Sequence, residues 1–214
     1  MGRLFTIGHS THDIDFFVSL LKKFEIEALV DIRSTPYSKM AQQFNQEGLK
    51  NYLRKNNIIY IYMGDLLGAR YSDSNFLDEN FIVDFEKVFK KDTFLKGIAR
   101  LYDGLSKNFS ISIMCSELYP IECHRFGMVS RYISKDREDI KINHITKINK
   151  HSSDISLNDF GLIKQEDLEN TMLDNFKISK TTLFEEIKPL ELAYKLLNEK
   201  IGYDASTGTG DNIW

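Results

Sequence analysis

The segment MCSELYPIECHR, residues 114–125, concentrates the side chains of this chain that are best suited to chemistry. It holds both cysteines, one of the five histidines, two glutamates and one arginine. Thiols and imidazoles ligate metals or act as nucleophile and base, carboxylates act as nucleophiles or general bases, and arginine binds anions. A chain of 214 residues with only two cysteines, Cys115 and Cys123, therefore predicts an active site in this segment.

Five runs of β-prone residues alternate with helical patterns and supply the framework for this segment. The runs cover residues 4–7, 28–32, 58–63, 109–115 and 140–146. Because parallel neighbours in a sheet need crossover connections, the alternation predicts an α/β fold. We expect a three-layer Rossmann-like sandwich with a largely parallel five-stranded sheet.

Four helical segments are predicted between these strands. They cover residues 16–24, 46–55, 79–105 and 120–134. A capping box that starts at Ser10 opens the first, and Gly97 predicts a break in the third. Pro120 opens the fourth, because proline is favoured at the first helical position.

The amino-acid composition changes near residue 149, and this change divides the chain into two predicted parts. Residues 1–148 form the α/β domain with the chemical motifs. Residues 149–214 read as an extension with one helix, at residues 181–200, and a polar tail at residues 206–214.

Composition limits the classes of function. The net charge of −3 gives no global basic field for nucleic acid, although a local basic groove remains open. The start of the chain lacks the long apolar region of a secretory signal, and no run of 18 apolar residues predicts a membrane span. We expect a cytoplasmic protein without membrane contact, in which the two cysteines are thiols and not a disulfide.

Polar residues follow four of the predicted strands, at the edge where open parallel sheets bind ligands. From these residues we predict catalytic groups and anion-binding groups. The catalytic candidates are His9, Asp31, Cys115 and Glu117, and the anion-binding candidates are Ser10, Arg33 and Arg125. We expect the ionisable members of this set to line one cleft.

Each candidate also has a purely structural interpretation. His9 and Ser10 fit a turn and a helix cap. Asp31 and Arg33 fit a structural ion pair, and His124 fits an ordinary helix histidine. The convergence of these groups on one predicted edge favours the functional interpretation.

The same residues carry a family resemblance, through five motifs. These are residues 6–10 (TIGHS), 30–38 (VDIRSTPYS), 44–45 (FN), 60–69 (a tyrosine-rich strand leading to LGA) and 115–125 (CSELYPIECHR). Over residues 4 to about 146 the chain resembles the bacterial and archaeal family catalogued as domain of unknown function 488. The chain departs from the family pattern at Ala69, where a second glycine is usual, and at Lys39, where arginine is usual. The resemblance supports the fold and the site but implies no particular reaction.

The first functional hypothesis is a hydrolase or transferase acting on a nucleotide or a modified nucleic-acid base. Glu117 would attack or activate water, Arg33 and Arg125 would hold phosphate, and His9 would move protons. Cleavage of an N-glycosidic bond is the first subtype to consider, because a carboxylate suits an oxocarbenium-like transition state. This hypothesis requires no cofactor.

A second hypothesis is a cysteine-dependent or metal-dependent enzyme. Zinc could bind Cys115, Cys123 and His124 together with His9, but the spacing is not a standard zinc motif. Neighbours 123 and 124 on a helix would also point about 100° apart, so no metal is expected. Cys115 at a helix N-terminus could instead be a nucleophile, with Cys123 packed in the buried face of the helix.

A third hypothesis is a non-enzymatic module that binds a nucleotide. Ionisable groups on several strand ends exceed what a binding pocket needs, yet they are compatible with one. The sequence names no protein partner.

Overall fold

Six strands form one sheet in a computed structural model that describes residues 1–149, 156–179 and 187–207. They are β1 Leu4–Gly8, β2 Ala28–Asp31, β3 Ile59–Tyr62, β4 Ile111–Cys115, β5 Ile142–Lys147 and β6 Phe160–Lys164. Their order is β3-β2-β4-β1-β5-β6. The first five pair in parallel, as predicted, and β6 pairs antiparallel with β5. The prediction of five strands missed β6, a short edge strand within a polar part of the sequence.

Helices cover both faces of the sheet and make the predicted α/β sandwich. The described part contains α1 Ile14–Lys23, α2 Gln46–Lys55, α3 Gly64–Leu67, α4 Phe85–Val88, α5 Asp92–Ser106, α6 Arg131–Asp136, α7 Gln165–Asn175 and α8 Pro189–Ile201. Two separate apolar clusters are buried, one with Phe17 of α1 and Leu53 of α2, the other with Leu101 of α5 and Leu197 of α8. Each fully buried side chain of this size stabilises the fold by roughly 1.5–3 kcal/mol.

The first helix begins later than the predicted capping box. Asp13 is the N-cap of α1, and its side chain accepts hydrogen bonds from the backbone N–H groups of Asp15 and Phe16. Ser10 lies in the left-handed region with φ of 48°, so it belongs to the turn between β1 and α1. This turn leaves His9 and Ser10 at the end of β1.

The third helical segment breaks before Gly97 and not at it. The break separates the short helix α4 from α5, and Gly97 lies inside α5. A Cβ at Gly97 would come within 2.7 Å of Leu67 in α3. The glycine therefore permits close packing of two helices. From the sequence alone, the same glycine predicts a helix break.

The predicted helix over residues 120–134 is three different pieces. Pro120 opens a 3-10 turn, Pro120–Glu122, and Cys123 follows in extended conformation with φ of −142° and ψ of 144°. A π-helix then covers Arg125–Ser130 and leads into α6. The extended conformation of Cys123 changes the geometry of the chemical segment, as described below.

The C-terminal part contributes β6, α7 and α8 where the sequence predicted one helix. Of the predicted helix at residues 181–200, residues 181–186 lie outside the described residues and α8 begins at Pro189. The polar tail falls mostly on residues 208–214, which also lie outside them. Among the helices of the described ranges, none combines the length and the apolar character that a bilayer crossing requires.

Candidate functional site

A polar pocket of about 370 Å³ opens at the carboxyl ends of β1, β2 and β4. It is the edge at which open parallel sheets bind ligands. Four of the predicted residues line the pocket: His9, Ser10, Arg33 and Cys115. Its other lining residues are Thr11, Ser34, Thr35, Tyr37, Ser38, Met40, Ala41, Arg70 and Ser116.

The Arg33 guanidinium is fixed by Asp31 at the end of β2. Arg33 Nε donates to Asp31 Oδ1 at 2.9 Å, and Arg33 Nη2 donates to Asp31 Oδ2 at 2.6 Å. The backbone N–H of Arg33 also reaches Asp31 Oδ1, and the Tyr60 hydroxyl donates to Oδ2 at 2.7 Å. Burial works against the charge of Arg33, but its hydrogen bond to Asp31 leaves the pKa of Arg33 raised. The structural ion pair considered from the sequence is therefore present, and it borders the pocket.

His9 is held as a neutral imidazole against Arg33. His9 Nδ1 lies 2.6 Å from the Ser10 carbonyl, which can only accept a hydrogen bond, so Nδ1 carries the proton. His9 Nε2 then accepts from Arg33 Nη1 at 3.0 Å, and the ring stacks on Phe44 at 4.4 Å between centroids. Burial, and then the charge of Arg33, lower the pKa of His9 to about 4. Both ring nitrogens are thus engaged, and His9 serves to orient Arg33.

Glu117 and Arg125 lie buried after β4 and are not among the residues that line the pocket. Arg125 donates to the backbone carbonyl of Glu117 at 2.7 Å and to that of Leu118 at 3.1 Å. The two charged groups come only within 3.9 Å of each other. Neither carboxylate oxygen of Glu117 has a hydrogen-bond partner, nor does Arg125 Nε.

Glu117 is nevertheless held in its charged form. Burial by itself raises the pKa of this carboxyl, but the nearby Cys123 thiol, then Arg125 and His124, bring the pKa below its usual value of 4.5. The backbone here is packed tightly, since a Cβ at Gly8 would lie 1.7 Å from the Glu117 carbonyl oxygen. The segment therefore buries a charge whose support comes from the Cys123 thiol and from the nearby Arg125 and His124 side chains.

Both cysteines and His124 form one buried cluster. His124 Nδ1 lies 3.7 Å from Cys115 Sγ and 3.8 Å from Cys123 Sγ, and all three atoms lie within 4.8 Å of one another. The two cysteines are not joined in a disulfide, and burial raises the pKa of Cys123 well above its ordinary value.

The cluster overturns the geometric objection to shared ligation by residues 123 and 124. That objection placed both residues on one helix, where their side chains would diverge. Cys123 is extended, with ψ of 144°, so its thiol and the His124 ring meet. For the same reason, Cys123 precedes the helix and faces Cys115, while its side chain is fully buried in the apolar core.

The structure thus divides the six residues expected in one cleft. His9, Arg33 and Cys115 line the pocket, whereas Asp31, Glu117 and Arg125 are buried beside it. Arg70, which is exposed to solvent, also lines the pocket, and its backbone N–H donates to Ser34 Oγ at 3.2 Å. The position of Arg70 directly after the 60–69 motif is the sequence feature that could have indicated its place in the pocket.

Sequence comparison gives the chain a family. A family model described as "Domain of unknown function DUF488" matches residues 13–133, which is more than half of the chain. The chain belongs to this family, as the motifs indicated. No curated protein and no solved structure shows a significant match to it.

Proposed function

We propose that the chain is a hydrolase or transferase that acts on a nucleotide or a modified nucleic-acid base in the strand-end pocket. The observation that carries this proposal is the fixed guanidinium of Arg33 at the pocket wall. Arginine presents five N–H donors in a rigid fork that suits phosphate and carboxylate. A donor already held in place loses little entropy when it binds an anion.

One donor of this fork is left for a ligand. Asp31 accepts from Nε and Nη2, the Phe44 carbonyl accepts from Nη2, and His9 accepts from Nη1. These contacts use four of the five N–H groups, so a second hydrogen on Nη1 remains. Arg70, which is exposed at the pocket rim, adds a second positive charge.

The rest of the lining suits a sugar and a base. Hydroxyl groups dominate it, and they hydrogen-bond phosphate or ribose: Ser10, Thr11, Ser34, Thr35, Ser38 and Ser116. Tyr37 is 73% exposed at the rim, where an aromatic ring can stack on a base. Phosphate-binding and base-stacking groups in one pocket favour a nucleotide over a simple carboxylate.

The catalytic carboxylate stays a prediction. Glu117 is charged, as a nucleophile or base must be at neutral pH, but it lies outside the lining of the pocket. For N-glycosidic cleavage Glu117 would have to reach the substrate after the segment rearranges around it.

A second candidate function is cysteine-dependent or metal-dependent catalysis. The observation that favours it is the position of Cys115, which lines the pocket with His124 Nδ1 at 3.7 Å. An imidazole near a thiol is the arrangement that activates a nucleophile, and it is also a pair of metal ligands.

The test is a panel of nucleosides, nucleotides and oligonucleotides with modified bases, analysed by mass spectrometry of the products. Release of a free base identifies N-glycosidic cleavage. Arg33→Lys should weaken binding of phosphate-bearing members, while Arg54→Lys, an exposed change on α2, should not. Binding without turnover would leave the nucleotide-binding module in place of the enzyme, and no binding at all would refute the proposal.

A further inference from the structure

We propose that Cys115, Cys123 and His124 form a zinc site directly beneath the strand-end pocket. Side chains of the type and number found in protein zinc sites meet here, with three ligands supplied by two short stretches of the chain. The inference concerns these residues alone and does not depend on the substrate proposed above.

The distances in the cluster match those of tetrahedral zinc. With Zn–S of about 2.3 Å and Zn–N of about 2.0–2.1 Å, a tetrahedral ion places sulfur and nitrogen roughly 3.5–3.6 Å apart. The two sulfur–nitrogen distances to His124 Nδ1 are 3.7 and 3.8 Å. Shifts of a few tenths of an ångström would therefore bring both sulfur–nitrogen distances to the tetrahedral value.

His124 has the orientation that a ligand histidine requires. Its Nε2 lies 3.4 Å from the Ile32 carbonyl oxygen, which can only accept, so the ring proton belongs on Nε2. The lone pair of Nδ1 then faces the two sulfur atoms. A backbone carbonyl on the far nitrogen is the usual outer partner of metal-bound histidine, because it fixes the tautomer and the ring plane.

A second observation, independent of these distances, is the carboxylate of Glu117. It is 5% exposed, it lies beside Cys123, and both of its oxygens lack hydrogen-bond partners. A buried carboxylate in this condition is costly unless a cation or a donor completes its surroundings. Three protein ligands leave a fourth position on zinc for a water molecule, which the Glu117 carboxylate, buried beside Cys123 but outside the three-ligand cluster, would accept a hydrogen bond from.

The charges of such a site are balanced. Each thiol gives up its proton to solvent when it binds, so two thiolates neutralise Zn²⁺ and two protons are released. Glu117 and Arg125 then neutralise each other. His9 takes no part, since Ser10 and Arg33 already engage its two ring nitrogens.

The test is the metal content of the full chain, purified without chelator and dialysed, measured by mass spectrometry. We expect about one zinc per chain. Replacement of zinc by Co²⁺ should produce a thiolate-to-cobalt charge-transfer absorption and the visible bands of a tetrahedral site. Cys115→Ser, Cys123→Ser and His124→Asn should each lose most of the zinc, with folding checked by circular dichroism.

Matched controls separate ligation from general damage. Ser116→Ala changes the residue next to Cys115, and His12→Asn changes a residue between β1 and α1. Both variants should keep the full zinc content. Should a ligand variant fail to fold, alkylation of the wild-type chain before and after treatment with a chelator provides a second measure. Because both cysteines are buried in any case, zinc is shown only by faster alkylation after the chelator. Wild-type protein that takes up no zinc and gives no cobalt bands, or Cys123→Ser and His124→Asn variants that keep wild-type zinc, would overturn the inference. Neither measurement uses a substrate, so failure of the nucleotide proposal would leave this result unaffected.

Discussion

Two arginine–carboxylate pairs lie at the ends of the neighbouring strands β2 and β4, and they differ in how far their polar atoms are satisfied. The Asp31 and Arg33 side chains meet through two hydrogen bonds of 2.9 and 2.6 Å. Glu117 and Arg125 approach no closer than 3.9 Å, and three of their side-chain polar atoms lack partners. Both pairs are buried, so the difference is not one of solvent exposure.

The difference indicates two kinds of task. A buried pair whose hydrogen bonds are complete is a rigid support, and here it aims Arg33 into the pocket. A buried pair whose hydrogen bonds are incomplete is costly unless a further group joins it. The surroundings of Glu117 therefore suit the binding of a further group. The Asp31–Arg33 pair, by contrast, is a structural support.

The largest loss of stability should come from breaking the Asp31–Arg33 pair. Asp31→Asn removes the negative charge opposite Arg33 and leaves a buried guanidinium uncompensated, which costs on the order of 3–5 kcal/mol of stability. Urea denaturation monitored by circular dichroism measures this loss. The control is Asp103→Asn, which removes an exposed pair with Lys107 and should change little. If Asp31→Asn proves as stable as the control, the rigid-support interpretation is wrong.

The second prediction concerns the pH dependence of stability. The pKa of His9 is lowered to about 4 and that of His144 to about 3, in both cases mainly by burial. The unfolded chain binds these protons near pH 6.5 while the folded chain does not, so stability must fall as the pH drops below 6.5. The slope should approach about 1.4 kcal/mol per pH unit for each group.

Denaturation midpoints between pH 7 and pH 5 test this slope before most carboxylates titrate. His9→Asn should reduce the slope by the share of one histidine, whatever it does to stability at pH 7. A stability that stays level from pH 7 to pH 5 would show that neither histidine is held neutral.

The sequence alone predicts the pairing of Asp31 with Arg33 more readily than the surroundings of Glu117 and Arg125. Asp31 and Arg33 stand two positions apart at the end of a strand, so local pattern suffices to pair them. Helix α2 was predicted within its observed limits, Gln46–Lys55, because its amphipathic pattern is local too. Features set by near neighbours in the chain are the ones that pattern reveals.

The segment around Glu117 and Arg125 packs against parts of the chain that are distant in sequence. A Cβ at Gly127 in the π-helix would meet Ile201 of α8 at 2.9 Å, and no local signal announces this packing. The same fold places Cys123 in extended conformation, which brings its thiol to His124. A helix periodicity read through residues 120–134 therefore predicts the wrong partners for both cysteines.

The third prediction contrasts the two arginines directly. Arg33→Lys keeps the charge but loses the anchored Nη1 hydrogen that remains for a ligand, so binding of a nucleoside monophosphate should weaken by about 1–3 kcal/mol, measured by calorimetry. Arg125→Lys should leave that affinity nearly unchanged, because Arg125 is fully buried and donates to backbone carbonyls. It should lower stability instead. Equal losses of affinity in both variants would place Arg125 in the binding site, as the sequence alone suggests.

The smallest effect on stability is expected at Glu117, and it is the sharpest contrast with Asp31. Glu117→Gln keeps the size of the side chain and removes a buried charge whose main support is the neighbouring Cys123 thiol. The cost of desolvating the carboxylate is removed, while the attraction to Arg125 at 3.9 Å is lost. These terms oppose each other, so the free energy of unfolding should change by about 1 kcal/mol or less.

The same Glu117→Gln variant has a different expected effect on activity. If the carboxylate is the nucleophile or base, turnover on the true substrate should fall by a large factor while ligand binding survives. Cys115→Ser is the paired measurement: an inactive Cys115→Ser beside a fully active Glu117→Gln would assign the chemistry to the sulfur cluster. A loss of several kcal/mol in Glu117→Gln would mean that the carboxylate already has its partners, and the contrast between the two pairs would fail. A retained fold with lost turnover would instead show that the charge of Glu117 serves the reaction, because the neutral isostere would then suffice for the fold but not for the chemistry.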